Sequence, residues 1–365
     1  MQKLHTLLAQ FAHRIWQRKG LISTLLLPLS WLVVAAVLIK RRRHTHIAAD
    51  LTYGVPVIVV GNIMVGGTGK TPVVIALVNA LKALGRRPGV ISRGYGVKLP
   101  HLQARVGKGV LDPRLFGDEP TLIAQATGAP IAVHPKRRLA LQSLVETYPN
   151  VDIVVSDDGL QHLALPRDIE IVVQDERGLG NERVLPAGPL REPASRLNNV
   201  DLIVLHQSGP TPQEGSLPET HGVTSRACAT EVARVRMRLQ PTSCTQISTG
   251  QVVSWPEWAK EHRELRVGAV AAIGQPQRFF GLLKQQGLNP DPAIALPDHS
   301  PDIASAVQEV NQAVILVTDK DAVKLQGTTD SRLWSVQVAP RFSDPQWVQT
   351  LLKRLQSNPV AGQNG

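Results

Sequence analysis

Short apolar runs alternate with amphipathic stretches along most of the chain, and this pattern predicts strands followed by helices. The runs expected to form buried strands are 56–60, 88–91, 131–133, 151–155, 169–173 and 202–205. Stretches with the 3.6-residue period of a helix lie at 71–84, 120–127 and 137–147. Strands that alternate with helices are typical of a mostly parallel sheet covered on both faces. We therefore expect an α/β fold.

A second series of elements begins near residue 266. Its predicted members are a strand at 267–273, helices at 276–286 and 301–312, a strand at 313–317 and a last helix at 344–356. The intervening residues 206–262 are less regular and contain an alternating stretch at 231–239, which indicates a connector with a small antiparallel pair. We expect domains at 48–262 and 263–357, an N-terminal helical segment at 1–47 and a disordered tail at 358–365.

The N-terminal segment contains an almost uncharged apolar run at 21–39. Its length is close to the roughly 20 residues that cross a bilayer as a helix. Basic residues flank it on both sides, with Lys40 to Arg43 directly after it, and Pro28 lies within it. Three arrangements remain open: a single span, a bent or interfacial helix, and a buried helical hairpin of a soluble core. The basic cluster favours contact with anionic headgroups.

Composition narrows the class of partner. The chain has 365 residues, a formal net charge of +11 and a pI of about 10.0, which suits anionic partners such as acidic lipid, nucleic acid or a phosphorylated substrate. Only 4% of residues are aromatic and no base-stacking motif is present, so a nucleic-acid partner is not expected. The two cysteines, Cys228 and Cys244, do not form a CxxC pair, and no structural metal site is expected.

A glycine-rich loop, GNIMVGGTGKTP at 61–72, joins the first predicted strand to its helix. Glycines allow close backbone approach, and N–H groups at a helix N-terminus attract phosphate. The candidate phosphate ligands are Gly66, Gly67, Thr68, Gly69 and Lys70. Thr71 is placed to ligate Mg²⁺. Met64 replaces the first glycine of GxxxxGK[ST], and an ordinary glycine-rich turn is the alternative.

The apolar run at 151–155 leads into Asp157 and Asp158. Adjacent carboxylates repel one another unless a cation holds them, so this pair is a candidate Mg²⁺ site at the end of a strand. Because Asp-Asp-Gly is also good turn chemistry, a polar strand-end turn is the alternative. The spacing does not decide which of the two carboxylates touches the metal.

Three further segments are dense in glycine, proline and charge: SRGYG at 92–96, GDEP at 117–120 and LPAGPLREP at 185–193. Ligands of open α/β sheets bind at the carboxyl ends of the strands, where these loops are expected to converge. Asp118 and Glu119 precede Pro120, and acidic residues followed by proline also begin ordinary helices. Spacing alone favours that capping role for Asp118.

Together these motifs resemble the tetraacyldisaccharide 4′-kinase family, the lipid A disaccharide kinases. The resemblance rests on GGTGKTP at 66–72, SRGYG, GDEP, DDGLQH at 157–162 and LPAGPLRE at 185–192. It continues with GQPQRFF at 274–280, LPDH at 296–299 and TDKDAVK at 318–324, and so covers roughly residues 50–325. Several ordered motifs in one chain are more specific than the glycine-rich loop alone.

The resemblance implies a P-loop kinase core, a smaller α/β domain and a membrane-anchoring N-terminal helix. It implies transfer of the γ-phosphoryl group of ATP to the 4′-hydroxyl of a tetraacylated glucosamine disaccharide 1-phosphate, with Mg²⁺, at the bacterial inner membrane with the site facing the cytoplasm. Asp118 and His299 map onto the family's catalytic pair. Arg191 is expected at the ATP phosphates, and Glu192 at the metal with Asp157 and Asp158. No obligate protein partner is expected.

Two features depart from the family pattern, and two rival classes of P-loop protein lack support in the sequence. Ser300 follows His299 where the family often has a second histidine, and Asp319 replaces a common glutamate. We assign no catalytic role to Lys320 or Lys324. A partitioning ATPase usually needs an upstream loop lysine, which residues 62–68 lack, and a GTPase needs NKxD, which is absent. Neither rival explains the GDEP and LPAGPLRE motifs.

Overall fold

The structure, a computed structural model, describes residues 15–49, 53–97, 102–208, 232–298 and 300–357, with the backbone alone at 44–49. The candidate His299 and the tail expected at 358–365 lie outside the described residues. Residues 1–14 of the N-terminal segment also lie outside them.

Thirteen strands and eleven α-helices are described. The strands are β1 (Val57–Gly61), β2 (Pro88–Ser92), β3 (Arg105–Gly107), β4 (Ile131–Val133), β5 (Ile153–Asp157), β6 (Ile169–Asp175), β7 (Leu202–His206), β8 (Ala233–Gln246), β9 (Val252–Ser254), β10 (Val267–Ala271), β11 (Ala293–Ala295), β12 (Val314–Thr318) and β13 (Leu333–Phe342). The helices are α1 (Leu21–Leu25), α2 (Leu27–Ala49), α3 (Lys70–Ala83), α4 (Pro113–Phe116), α5 (Asp118–Thr127), α6 (Arg137–Thr147), α7 (Trp255–His262), α8 (Pro276–Gln285), α9 (Ile303–Gln308), α10 (Asp319–Ala322) and α11 (Trp347–Ser357).

The strands form one sheet in the order β11-β10-β12-β13-β8-β7-β6-β1-β5-β2-β4-β3, with β9 paired to β8 outside this path. Among the described strands, the antiparallel pairs are β13 with β8, β8 with β9, and β3 with β4. The other pairs are parallel, as in the central β6-β1-β5 trio. The predicted mostly parallel α/β sheet is confirmed.

Two long strands join the two halves of the sheet. The first half runs from β7 to β3, and the second contains β10, β11 and β12. The start of β8 pairs parallel with β7, and β8 also pairs antiparallel with β13 along most of its length. The antiparallel pair expected in the connector is formed by β8 and β9, which both lie within 206–262. The domain boundary at 263 stays a prediction.

Apolar side chains on both faces of the sheet form the cores of the two halves. On one face of the first half, α3 buries Val73, Val74, Leu77, Val78 and Leu81, which recur at helical spacing. The helix α11 packs into the same cluster, although the predicted division assigns it to the smaller domain. On the other face, α6 and part of α2 pack against the same sheet. Two further clusters cover the second half.

The apolar N-terminal run forms two helices, α1 and α2, with Leu26 between them. Within the described residues, neither helix combines the length and hydropathy needed to cross a membrane. Polar contacts dock both helices: Ser30 Oγ donates to Val184 O at 2.8 Å, and Asn181 Nδ2 donates to Ser23 Oγ at 2.9 Å. The apolar run is therefore fixed to the segment that precedes LPAGPLRE.

Candidate active site

The glycine-rich loop connects β1 to α3 at the carboxyl end of the sheet. Gly69 precedes the helix with φ +89°, a conformation that L side chains rarely adopt. A Cβ atom at Gly69 would also overlap the ring of His206. The loop therefore needs glycine at this position for two independent reasons, and the first N–H groups of α3 are left facing outward for an anion.

Neighbouring segments hold the loop in place. Asn62 Nδ2 donates to Gly66 O at 3.1 Å, and Val65 N donates to Pro189 O at 2.9 Å. Arg191 N donates to Ile63 O at 2.7 Å. The structure thus places LPAGPLRE directly beside the glycine-rich loop, at the carboxyl edge where the sequence predicted convergence.

Asp157 ends β5 and is buried. Ser92 Oγ donates to its Oδ2 at 3.0 Å, whereas its buried Oδ1 has no hydrogen-bond partner among the described residues. Burial, together with the charges of Glu119 and Asp158, raises the pKa of Asp157 to about 7. This unpaired buried oxygen favours a cation beside Asp157.

Asp158 lies next to two cations and has φ +48°. Its carboxylate is 3.4 Å from Lys70 Nζ and 3.6 Å from Arg191 Nη1. Burial alone would raise the pKa of Asp158, but Lys70 and Arg191 lower it below its usual value. The structure therefore brings Lys70, Asp158 and Arg191 together, and the carboxylate is ionised at neutral pH.

Glu192 is buried and already paired. Its Oε1 accepts from Gln161 Nε2 at 2.9 Å, and its Oε2 is 3.5 Å from Arg196 Nε. Gln161 also donates to Asn62 O at 2.9 Å and accepts from Arg191 Nη1 at 3.2 Å. Hydrogen bonds of Gln161 therefore connect Glu192 to the loop and to Arg191.

The described residues contain no group of three His, Cys, Asp or Glu side chains arranged around one metal position. Mg²⁺ is usually held by only one or two carboxylates together with substrate phosphates. Thr71 in the first turn of α3, the unpaired Oδ1 of Asp157 and the ionised Asp158 provide hard oxygen ligands of that kind. These residues fit Mg²⁺.

Asp118 and Glu119 begin α5, after Gly117. Asp118 Oδ2 is 3.1 Å from Lys324 Nζ, and Glu119 Oε1 is 3.0 Å from Lys320 Nζ. The lysines come from the second half of the sheet, so the GDEP motif lies where the two halves meet. Because His299 is outside the described residues, its expected pairing with Asp118 stays a prediction.

The second half also contacts the tip of the glycine-rich loop. Gln275 Nε2 donates to Gly67 O at 3.2 Å, and Arg177 Nη2 donates to the same oxygen at 3.0 Å. Asp175 is 2.7 Å from Arg177 Nη2 and 3.1 Å from Arg278 Nη2. Burial alone would raise the pKa of Asp175, but these guanidinium groups lower it.

A cavity of about 900 Å³ lies between the two halves and is lined by residues of both. Its walls include the loop residues Gly67 to Pro72, Glu119, and side chains of α8 and β13. The volume falls in the range of small-molecule sites. The cavity opens onto the loop N–H groups and is large enough for a nucleotide.

Positive charge also gathers around His162. Burial, together with the positive charges of Arg137 and Arg93 and a smaller contribution from Lys40, lowers the pKa of His162 to about 4. Lys40 belongs to α2, so the N-terminal helix contributes charge close to the site. In this basic cluster of Lys40, Arg93 and Arg137, Arg137 is buried and donates to His134 O and Asp157 O. Lys40 and Arg93 are exposed, and their charge suits an anionic group on a second substrate.

Sequence reasoning missed several polar residues that shape the site. They are Asn62, Arg137, Gln161, Asp175, Arg177, His206, Gln275 and Arg278. Lys320 and Lys324, to which the sequence assigns no catalytic role, pair with Glu119 and Asp118. Asn62, Gln161, Gln275 and Arg278 lie inside the quoted motifs, and this position is a usable signal. Asp175 and His206 end β6 and β7, and the rule that ligands bind at carboxyl strand ends applies to both.

The sequence model of the tetraacyldisaccharide-1-P 4′-kinase family, LpxK, matches residues 22–356. A tetraacyldisaccharide 4′-kinase of Bordetella petrii is 48% identical over 352 residues, covering 95% of this chain and 96% of the relative. One from Polynucleobacter necessarius is 40% identical, covering 94% and 96%. The crystal structure of LpxK from Aquifex aeolicus in complex with ATP matches with a TM-score of 0.72 at 26% identity, covering 92% and 99%.

Proposed function

The chain belongs to the tetraacyldisaccharide-1-P 4′-kinase family, and we propose that it transfers the γ-phosphoryl group of ATP to the 4′-hydroxyl of a tetraacylated glucosamine disaccharide 1-phosphate. One observation carries this proposal. Lys70, Arg191 and the N-terminus of α3 meet the ionised Asp158 at one edge of the sheet, and the loop residues Gly67 to Pro72 line the adjacent cavity.

The glycine-rich loop and the cavity bind ATP. The N–H groups at Gly66, Gly67, Thr68 and Gly69 face the phosphates, and Lys70 reaches the β- and γ-phosphates. Arg191 adds a second positive charge, since its guanidinium group already shares Asp158 with Lys70. A structural neighbour of this fold was solved in complex with ATP, which supports the assignment.

The acceptor hydroxyl enters from the side of the GDEP motif. Asp118 is the proposed base, and His299 is the proposed partner that orients it. The 4′-oxygen attacks the γ-phosphorus, its proton passes to the Asp118 carboxylate, and the bond from the γ-phosphorus to the bridging oxygen breaks with both electrons staying on ADP. Lys40 and Arg93 of the basic cluster offer charge for the 1-phosphate of the acceptor.

The proposed metal ligands are Thr71, Asp157 and Asp158, with Glu192 behind them through Gln161. Bound Mg²⁺ would neutralise phosphate charge during the transfer. In this chain the two aspartates supply ligand oxygens, and Lys70 and Arg191 keep Asp158 ionised.

The docked N-terminal helices support attachment to the bacterial inner membrane. Leu21, Leu25, Trp31 and Leu32 are 86%, 79%, 66% and 68% exposed, whereas Ser23 and Ser30 face the protein. An apolar face this exposed, followed by the basic residues 40–43, suits an interfacial helix on an anionic membrane. The lipid tails of the acceptor would then stay in the bilayer while the site faces the cytoplasm.

Transfer of labelled γ-phosphate from ATP to a detergent-dispersed acylated disaccharide 1-phosphate tests the function. Wild-type protein should phosphorylate the lipid only with Mg²⁺, and Asp118→Ala should lose roughly 10²- to 10⁴-fold in rate. Hydrolysis of ATP without a lipid product would contradict the kinase assignment and favour a switch ATPase.

A further inference from the structure

Lys320 and Lys324 form a symmetrical set of contacts at the junction of the two halves. Lys320 Nζ is 3.0 Å from Glu119 Oε1 and 3.1 Å from Asp298 Oδ1. Lys324 Nζ is 3.1 Å from Asp118 Oδ2 and donates to Ser300 O at 3.2 Å. Each lysine therefore contacts one of the two adjacent carboxylates of GDEP and one of the two residues that flank position 299.

A short, fixed turn presents both lysines. Thr318 caps α10, its hydroxyl accepting from Asp321 N at 3.2 Å and donating to Asp321 Oδ2 at 2.7 Å. Asp321 is fully buried and also accepts from Ala272 N at 2.9 Å, which fixes the turn to the end of β10. These hydrogen bonds hold the backbone that carries Lys320 and Lys324 in one position.

Both ammonium groups are largely shielded from water. The side chains of Lys320 and Lys324 are 14% and 15% exposed. Burial alone would lower the pKa of Lys320, but Glu119 and Asp298 raise it, so this ammonium group stays charged. Buried ion pairs add little net stability compared with apolar packing, but they restrict the geometry of the groups that they join.

We propose that Lys324 is a positioning residue for phosphoryl transfer, whose ammonium group fixes the Asp118 carboxylate relative to Ser300, with Lys320 fixing Glu119 relative to Asp298 in the same way. The inference rests on the proposed role of Asp118 as the base. Asp118 belongs to the first half and Lys324 to the second. The carboxylate is therefore held for the reaction only when the halves meet at this junction.

The kinetics of Lys324→Met and Lys324→Arg test this role in the full-length protein with the lipid acceptor. A misplaced catalytic group costs up to about 10²-fold, so Lys324→Met should lower kcat by at least about tenfold while KM for ATP stays within about twofold. Lys324→Arg retains the charge and should recover most of kcat. Lys260→Met, an exposed lysine of α7, should leave both constants at wild-type values.

A double variant separates positioning from a general structural effect. If Lys324 acts through Asp118, adding Lys324→Met to Asp118→Asn should lower the residual rate by less than about twofold, because the group being positioned is already gone. If Lys324 had only a structural role, Lys324→Met would instead lower the rate of Asp118→Asn by the same factor as it lowers the rate of the wild type. Thermal unfolding identifies a variant that fails to fold, and Lys324→Gln then replaces Lys324→Met.

The outcomes distinguish this inference from the proposed function. Wild-type lipid phosphorylation with an unchanged kcat in Lys324→Met would overturn the role of Lys324 and leave the kinase assignment intact. Full additivity in the double variant would also overturn it. If the wild-type protein made no phosphorylated lipid while hydrolysing ATP, the proposed function itself would fail.

Discussion

Two partly buried carboxylates of this protein differ in pKa because of their neighbours. Asp158 has Lys70 and Arg191 beside it, and these cations lower its pKa in spite of burial. Asp319 receives hydrogen bonds from neutral groups, including Gln337 Nε2 at 2.7 Å, and burial raises its pKa to about 6. Hydrogen bonds from neutral donors therefore do not offset the loss of water around Asp319.

The raised pKa of Asp319 predicts how stability depends on pH. The unfolded chain releases this proton near the ordinary value of 3.8 and the folded chain near 6, so Asp319 destabilises the fold increasingly as pH rises between these values. The free energy of unfolding of Asp319→Asn, relative to that of the wild type, should therefore be on the order of 2 kcal/mol more favourable to the fold at pH 8 than at pH 4. Thermal unfolding across that range measures the gain.

The control for this prediction is Glu261→Gln, which removes an exposed carboxylate of α7. Its Tm should follow the wild-type pH profile. A Tm difference between Asp319→Asn and wild type that stays constant from pH 4 to pH 8 would contradict the assigned cause.

Gly69 gives a second prediction for a single residue. Alanine in the left-handed conformation costs about 1–2 kcal/mol, and its Cβ would also overlap His206. Gly69→Ala should therefore weaken ATP binding by roughly tenfold or more, measured by calorimetry.

The double variant Gly69→Ala with His206→Ala removes the overlap but leaves the backbone strain. It should recover part of the affinity that Gly69→Ala loses. If the double variant bound ATP no better than Gly69→Ala, the contact with His206 would not be a cause of the loss.

At the scale of elements, the local spacing of apolar residues predicted the helices and strands whose burial follows that spacing. β4 at 131–133 and α6 at 137–147 have the predicted bounds, because their apolar spacing is set by burial against one sheet. β13 was not predicted, since its partner β8 is distant in sequence and Pro340 interrupts the run. No helix is predicted from the sequence at 255–262, although Trp255 and Trp258 bury one face of the helix that lies there.

The residues of the site also fall into those that local sequence patterns predict and those that depend on contacts between distant segments. Glycine-rich and acidic motifs predicted where Lys70 and Asp158 lie, because their chemistry and position at strand ends are both visible in the sequence. The expected position of Arg191 came from the family resemblance. Contacts between the halves, such as that of Lys324 with Asp118, depend on how the two halves of the sheet meet. No local pattern encodes that arrangement.

The N-terminal helices give a prediction at the scale of an element. Leu21, Leu25 and Leu32 are exposed on the docked α1 and α2, and each would gain about 1.5–3 kcal/mol when fully buried in lipid. Replacing all three with glutamine should lower binding to vesicles of anionic phospholipid by at least about tenfold. Flotation of the purified full chain with those vesicles measures the loss.

The matched control replaces Leu84, Val252 and Leu265 with glutamine. These residues are 39%, 65% and 47% exposed and lie outside the N-terminal helices. The control should float like the wild type. Equal flotation of the leucine variant and the wild type would show that other surfaces attach the protein to membranes.

At the scale of the whole molecule, the two halves meet at the groups that handle phosphate. Arg278 of the second half pairs with Asp175 of the first, and Gln275 donates to the carbonyl of Gly67. Arg177 contacts both Asp175 and Gly67 O. The position of the second half therefore affects the Gly67 carbonyl group of the glycine-rich loop.

This connection predicts that a residue of the second half controls ATP affinity. Arg278→Met leaves Asp175 paired with Arg177, so the fold should survive with little change in Tm. The cavity loses a lining cation, and Asp175 loses one of the two guanidinium groups that hold it beside Arg177, so the Kd for ATP should rise by roughly tenfold. Lys284→Met, on the exposed side of the same helix, should leave Kd unchanged. An unchanged Kd in Arg278→Met would show that ATP binding does not depend on the Arg278 guanidinium group.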